Sequence, residues 1–253
     1  MVHRTIYFIL LAYFIGTSSV YAQEKVTTKQ GPFVENDTTF LLKKYYSGFT
    51  QSIYIEKDKE SRPYKRLLNF TMSNYDIDQY NELVEIYTKK NLGPLKTHNL
   101  FNLPGNWVPL YLYQGEYYLY SPSEGGLNGR RQINDSTLIC NYIDGPYPYI
   151  INSVKQPSPA IYHISTLESY SNTDLLRKPS DLYIYMIDPV NEIAVWQYTA
   201  NDGKPSYTLY VSENKARNFN MIVWNTPYEK EFDEFEFDQI DFKKLIEQCK
   251  NKQ

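Results

Sequence analysis

The chain predicts a mainly β protein: an antiparallel meander forming a barrel or strongly curved sheet, with an N-terminal hairpin-plus-helix and a C-terminal helix. Three observations carry this. Short apolar or alternating runs recur between residues 107 and 225, with turn residues between them and no helix-length insert. Residues 77–91, and again the stretch after Asp238, repeat their apolar positions at helical spacing. Gly is sparse at 11 residues while Tyr reaches 26, which marks a packed chain and not a low-complexity one.

At the start, residues 1–22 read as a cleavable export signal. His3 and Arg4 are basic, 6–15 form an apolar run of h-region length, and Val20-Tyr21-Ala22 places small or branched residues where a signal peptidase reads. The run is too short to span a bilayer of roughly 30 Å. The expected product begins at Gln23, is exported to a periplasmic or extracellular space, and keeps no transmembrane segment. A polar stretch with Gly31-Pro32 follows, so 23–37 reads as a flexible lead-in.

Residues 38–100 read as a hairpin plus a helix. Runs 51–56 and 64–72 flank a charged turn ending in Arg62-Pro63. Ile77, Tyr80, Val84 and Tyr87 then set a helical stripe over 77–91, widened by Leu83 and Ile86. Asp76, Asp78 and Glu82 lie at its positive end, Lys89 and Lys90 at its negative end, and Gly93-Pro94 stops it.

The rest, 101–253, reads as a β-meander domain with a C-terminal helix. Strands 108–113 and 116–121 meet at the two-residue connection Gln114-Gly115. Further runs fall at 136–143, 147–154, 160–167, 181–187, 192–199, 206–212 and 219–225, separated by Asp144-Gly145, 157–159, 188–191 and 201–204. Asp238 is the expected N-cap of the last helix, whose stripe is Phe242, Leu245, Ile246 and Cys249.

Successive strand side chains alternate between faces, so each run divides into two sets. In 182–187, Leu182, Ile184 and Met186 oppose Tyr183, Tyr185 and Ile187; in 192–198, Ile193 and Val195 oppose Ala194, Trp196 and Tyr198. An aliphatic core face and an aromatic face result. The aromatic face has three destinations: a second core layer, an amphipathic outer surface, or a cavity in which Trp107, Tyr183, Tyr185, Trp196 and Tyr198 bind a ligand.

Gly105-Asn106-Trp107, leading into Val108, resembles the Gly-x-Trp signature that opens the first strand of lipocalin-like (calycin) barrels. That resemblance implies an up-and-down barrel with an apolar ligand in its mouth, Trp107 closing one end and a C-terminal helix packed outside. The roughly eighty residues ahead of the motif and the missing Thr-Asp-Tyr depart from the family pattern.

Catalytic chemistry has little support. The chain has no Gly-x-Ser-x-Gly elbow, His-Glu-x-x-His, phosphate-binding loop or Cys-x-x-Cys, so neither cofactor nor metal is expected. His98 and His163 remain after the signal, and His163 shares a strand face with Ser165; a structural role is the simpler reading. Carboxylate-dependent glycan hydrolysis would call on Glu124, Asp144 or Glu168. The acids at 231, 233, 234, 236, 238 and 241 lack the Gly turn and spacing of a calcium loop; Phe232, Phe235 and Phe237 would anchor that connection. Cys140 and Cys249 either form a disulfide or stay as two buried thiols. Asn36, Asn69 and Asn134 stand in glycosylation sequons that count only in a eukaryotic source.

Net charge is −3, falling to −4 once Arg4 is removed with the signal. Such a balance excludes nucleic acid as the expected partner, and Lys43-Lys44, Lys89-Lys90 and Arg130-Arg131 are too short to alter it. The expectation is an exported, non-catalytic binding protein taking a glycan, lipid or other small ligand on its Tyr/Trp-rich strand face. The alternatives are a protein-binding envelope factor, such as an inhibitor or immunity-type partner of a secreted toxin, and a carboxylate-dependent glycan hydrolase.

Overall fold

Two-residue turns and alternating strands close most of the meander on itself. In the computed structural model, which describes residues 27–89, 93–122, 129–142, 144–168, 180–199, 203–225 and 235–251, eight strands form a closed barrel. They are β4 (Asn106–Pro109), β7 (Arg131–Ile133), β8 (Thr137–Tyr142), β9 (Gly145–Ser158), β10 (Ile161–Glu168), β11 (Ser180–Asp188), β12 (Ile193–Thr199) and β13 (Pro205–Ser212). Around the ring the order is β10-β11-β12-β13-β4-β7-β8-β9, every pair antiparallel, with β9 returning to β10. The mainly β fold with a closed antiparallel barrel is therefore as expected.

A second sheet packs outside the barrel. β1 (Thr27–Glu35), β2 (Thr38–Tyr46), β3 (Phe49–Glu56), β14 (Asn220–Asn225), β6 (Glu116–Ser121) and β5 (Tyr111–Tyr113) are its strands in spatial order, with only β14 and β6 running parallel. Pro109 marks the departure of the chain from the barrel: proline has no N–H to continue the ladder, and after Leu110 the run expected as one strand becomes β5 of the other sheet. Gln114 and Gly115 both take positive φ, at 51° and 81°, the turn that suits a two-residue hairpin.

Both faces of the barrel wall are apolar, and both are covered. Inside, Ile133, Leu138, Ile151, Ile164, Leu182, Ile184 and Met186 pack with Trp107, Trp196 and Tyr210. Outside, Val108, Tyr185, Ile193, Val195, Leu209 and Val211 meet Leu119, Met221 and Val223 of the second sheet and residues of the helices. Each fully buried aliphatic side chain here contributes about 1.5–3 kcal/mol relative to exposure.

Four local expectations are corrected. The flexible lead-in is strand β1 from Thr27 onward: its side chains are mostly exposed, so hydrophobicity does not reveal it, and pairing with β2 and a Phe33–Phe40 stack at 5.6 Å hold it. Asn36 and Asp37, both at positive φ, make the hairpin turn. The second strand of the expected N-terminal hairpin is instead α1 (Arg62–Leu67), because Pro63 in the first turn favours a helix start and Tyr64 and Leu67 are buried on one side. The next helix, α2 (Asn74–Tyr87), begins earlier than expected at a capping box in which Ser73 and Asp76 satisfy each other's backbone N–H; Ile77 is exposed, and the helix turns Tyr80, Leu83, Val84 and Tyr87 inward. At the last helix, α4 (Phe242–Asn251), Asp241 and not Asp238 is the cap, accepting from the Lys244 N–H at 3.0 Å, while Asp238 bridges back to Leu112 and accepts from the Gly115 N–H.

Cys140 and Cys249 do not pair. Cys140 points into the barrel, Cys249 lies on α4 against the outer wall, and both are buried thiols with the wall between them. Residues 1–26, Lys90 and Asn91, the Gly125-Gly126 loop with Glu124, Asp202, and 231–234 fall outside the described residues. Among those described, no helix is long and apolar enough to cross a membrane.

Candidate ligand pocket in the barrel mouth

Register decides which aromatic side chains meet. Across β11 and β12, Leu182 stands opposite Tyr198, Ile184 opposite Trp196 and Met186 opposite Ala194, so Trp196 and Tyr198 share the inner face with the aliphatic set of the neighbouring strand. Tyr183 and Tyr185 pair with Gln197 and Val195 and point outward. The five residues expected to form one aromatic site are thus divided by the wall. Tyr183 stacks on His163 at 4.4 Å, and Tyr185 is buried beneath α4 with Lys250 over its ring.

Inside, one end is filled and the other is hollow. Trp107 is fully buried at the filled end, donates from Nε1 to the Pro104 carbonyl at 2.6 Å, and packs with Leu100 and Leu103. Gly105 carries the Ile133 N–H on its carbonyl, and an added Cβ there would come 3.3 Å from the Ile133 oxygen, so glycine suits this close approach. Trp196 is the floor: its ring meets Trp107 edge-on at 5.6 Å and Tyr210 at 4.7 Å.

Above that floor lies a cavity of about 240 Å³, at the end where β12 finishes and β13 begins. Tyr142, Tyr149, Trp196, Tyr198 and Tyr210 line it, with Leu182, Leu138 and Cys140 on its apolar side and Ser206 and Thr208 on its polar side. A tyrosine ladder continues along the rim through Tyr142, Tyr147, Tyr149 and Tyr198, with centroids 5.3 to 6.4 Å apart. Burial raises the hydroxyl pKa of Tyr142, Tyr149 and Tyr210 and the thiol pKa of Cys140, so all four are neutral at physiological pH.

Among the described residues Arg131 is the charged member of this lining, and sequence reasoning missed it. Read in the dipeptide Arg130-Arg131 it looked like a surface patch. In β7 it sits opposite Trp107 on one side and Cys140 on the other, and so faces the interior. The available signal was its position two residues before the apolar Ile133, on the same strand face. Arg130 points away from the cavity to the carbonyls of Leu67 and Asn69.

Other expected groups are placed elsewhere. His163 Nε2 lies 2.7 Å from Asp181 Oδ1 on the outer wall, and Ser165 pairs across the ladder with that same Asp181. His98 contacts the Ile151 carbonyl at 3.0 Å. Asp144 shares a separate groove of about 480 Å³ with Asp76 and Arg130, but Asp76 is committed to the α2 capping box. Glu124 and the side chain of Glu168 are outside the described residues. No cluster of three or more metal-binding side chains occurs among the described residues. Comparison with protein-family models, curated proteins and solved structures returns no match, so the barrel stands on its own geometry and membership of the lipocalin family is not supported.

Proposed function

We propose that this is an exported, non-catalytic binding protein that takes a small ligand in the mouth of its barrel. One observation carries the reading: a cavity of about 240 Å³ set in one end of a closed barrel, walled by aromatic rings and floored by Trp196. A concave, mostly apolar site with a few converging polar groups is the usual form of a small-molecule pocket. The filled end adds support, since Trp107 and the segment around Leu103 make the interior a blind pocket and not a channel.

Titration of the mature protein, with intrinsic fluorescence as the readout, tests the reading. Ligands that enter should shift the emission of Trp196, and Trp196→Phe should remove that response while leaving the melting temperature close to wild type. If no glycan, fatty acid or small aromatic compound shifts the spectrum, the pocket reading fails. Export is tested separately by sequencing the terminus of protein secreted by its native host, where Gln23 is the expected first residue and Met1 would overturn the signal assignment.

A further inference from the structure

Arg131 presents an imbalance that the rest of the fold does not resolve. Its guanidinium has five N–H donors and no acceptor. Within the described residues one Nη1 contact goes to the Arg130 carbonyl at 3.0 Å, and the ring of Tyr142 lies 5.8 Å away. No carboxylate among the described residues pairs with it, although a cation held inside a barrel is costly without a counter-charge. Nor are its remaining nitrogens among the sealed, unpartnered atoms, which leaves them open to the cavity that Arg131 lines.

A second group in the same lining lacks an acceptor. Trp196 is 4% exposed, and its indole Nε1–H is buried with no hydrogen-bond partner among the described residues. The other polar side chains of the lining are Tyr142, Tyr149, Tyr198, Tyr210, Ser206 and Thr208, of which Tyr210 already donates to the Gly129 carbonyl and Ser206 to the Tyr198 carbonyl. Among the described residues, the lining thus holds two donor groups without a full set of acceptors, the Arg131 guanidinium and the Trp196 indole, and one positive charge.

Resting on the pocket reading above, we propose that the ligand is a monoanion, a carboxylate on an apolar or aromatic body, whose charge is bound by Arg131. The planar guanidinium matches a carboxylate in two parallel hydrogen bonds, which a spherical ammonium does not. One positive charge suits one negative charge; a phosphate dianion would call for further cations, and among the described residues neither Lys nor a second Arg lines the cavity. The aromatic walls receive the body of the molecule while its acid end turns toward β7.

A guanidinium titrates far above neutral, and the Arg131 pKa is raised from its ordinary value and not lowered. The guanidinium therefore keeps its charge across the pH range in which carboxylic acids ionise.

The test compares acids with their own amides. Hexanoate, benzoate and trans-cinnamate, each alongside its primary amide, are titrated by calorimetry against the mature wild-type protein, Arg131→Met and Arg131→Lys. At least one acid should bind wild type about tenfold or more tighter than its amide. Arg131→Met should weaken the acid far more than the amide and so erase that preference, and Arg131→Lys should keep part of it. Equal binding of acid and amide in wild type overturns the anion assignment and leaves the pocket standing. Absence of binding by every acid and amide overturns both. Should Arg131→Met fail to fold, the acid-to-amide ratio in wild type and in Arg131→Lys decides alone.

Discussion

Ile184 stands directly opposite Trp196 across the β11–β12 ladder, and that pairing sends Tyr185, the next residue in the chain, to the other side of the barrel wall. Trp196→Ala and Tyr185→Ala should therefore separate two properties that a shared aromatic face would join. Tyr185→Ala is expected to cost about 3 kcal/mol by hollowing the contact beneath α4, with the affinity for any pocket ligand unchanged. Trp196→Ala is expected to remove the pocket floor and abolish binding. Denaturant melts and ligand titrations on the two variants check this; loss of binding in Tyr185→Ala would show that the outer wall carries the site.

The register of α2 makes a second prediction. Ile77 is 42% exposed whereas Tyr87 is buried. Ile77→Asp should change stability by no more than about 0.5 kcal/mol, and Tyr87→Asp should cost about 3 kcal/mol or more because it leaves a charge in an apolar contact. Ser73→Ala should cost about 1 kcal/mol through loss of the capping box. A Tyr87→Asp melt that matches wild type would place the buried face elsewhere.

Tyrosine burial predicts alkaline unfolding. Burial raises the pKa of Tyr64, Tyr120, Tyr149 and Tyr210 in the folded state, above the ordinary value of about 10. A raised folded pKa means that the native state holds its protons longer than the unfolded chain, so this contribution is complete below about pH 10 and is lost as pH rises beyond it. Tyrosinate absorbance should rise in one cooperative step that coincides with loss of the circular-dichroism signal. A gradual rise with the fold intact would show that these hydroxyls are open to solvent.

The two thiols predict redox indifference. Cys140 and Cys249 are buried thiols on opposite sides of the wall, so a reductant should leave the melting temperature unchanged and Ellman's reagent should react with both only after denaturation. A drop in melting temperature under dithiothreitol, with no free thiol in the oxidised protein, would mean that they pair after all.

Much of the architecture is legible in local pattern. The seven strand runs from 136 to 225 correspond to β8 through β14, the Gln114-Gly115 turn to a real hairpin, and the stripe of Phe242, Leu245, Ile246 and Cys249 to α4. These features depend on near neighbours: turn chemistry, alternation and helical spacing act over a few residues and need no partner. Elements whose cause is remote were misread. β1 is polar and is a strand only because β2 pairs with it, and residues 64–67 have strand-like composition but fold as a helix behind Pro63.

By itself, the sequence determined that this protein is mainly β, that its strands turn back on one another, that several strands have two apolar faces, and that a helix follows the last of them. Tertiary structure alone decided which faces meet. Alternation along one strand sets a period of two but no phase relative to the next strand; the phase comes from the register fixed when turns close and the ring joins β9 to β10. That choice brought Trp196 and Tyr198 inside, left Tyr183 and Tyr185 outside, and turned Arg131 from one half of a basic dipeptide into a cation inside an aromatic pocket.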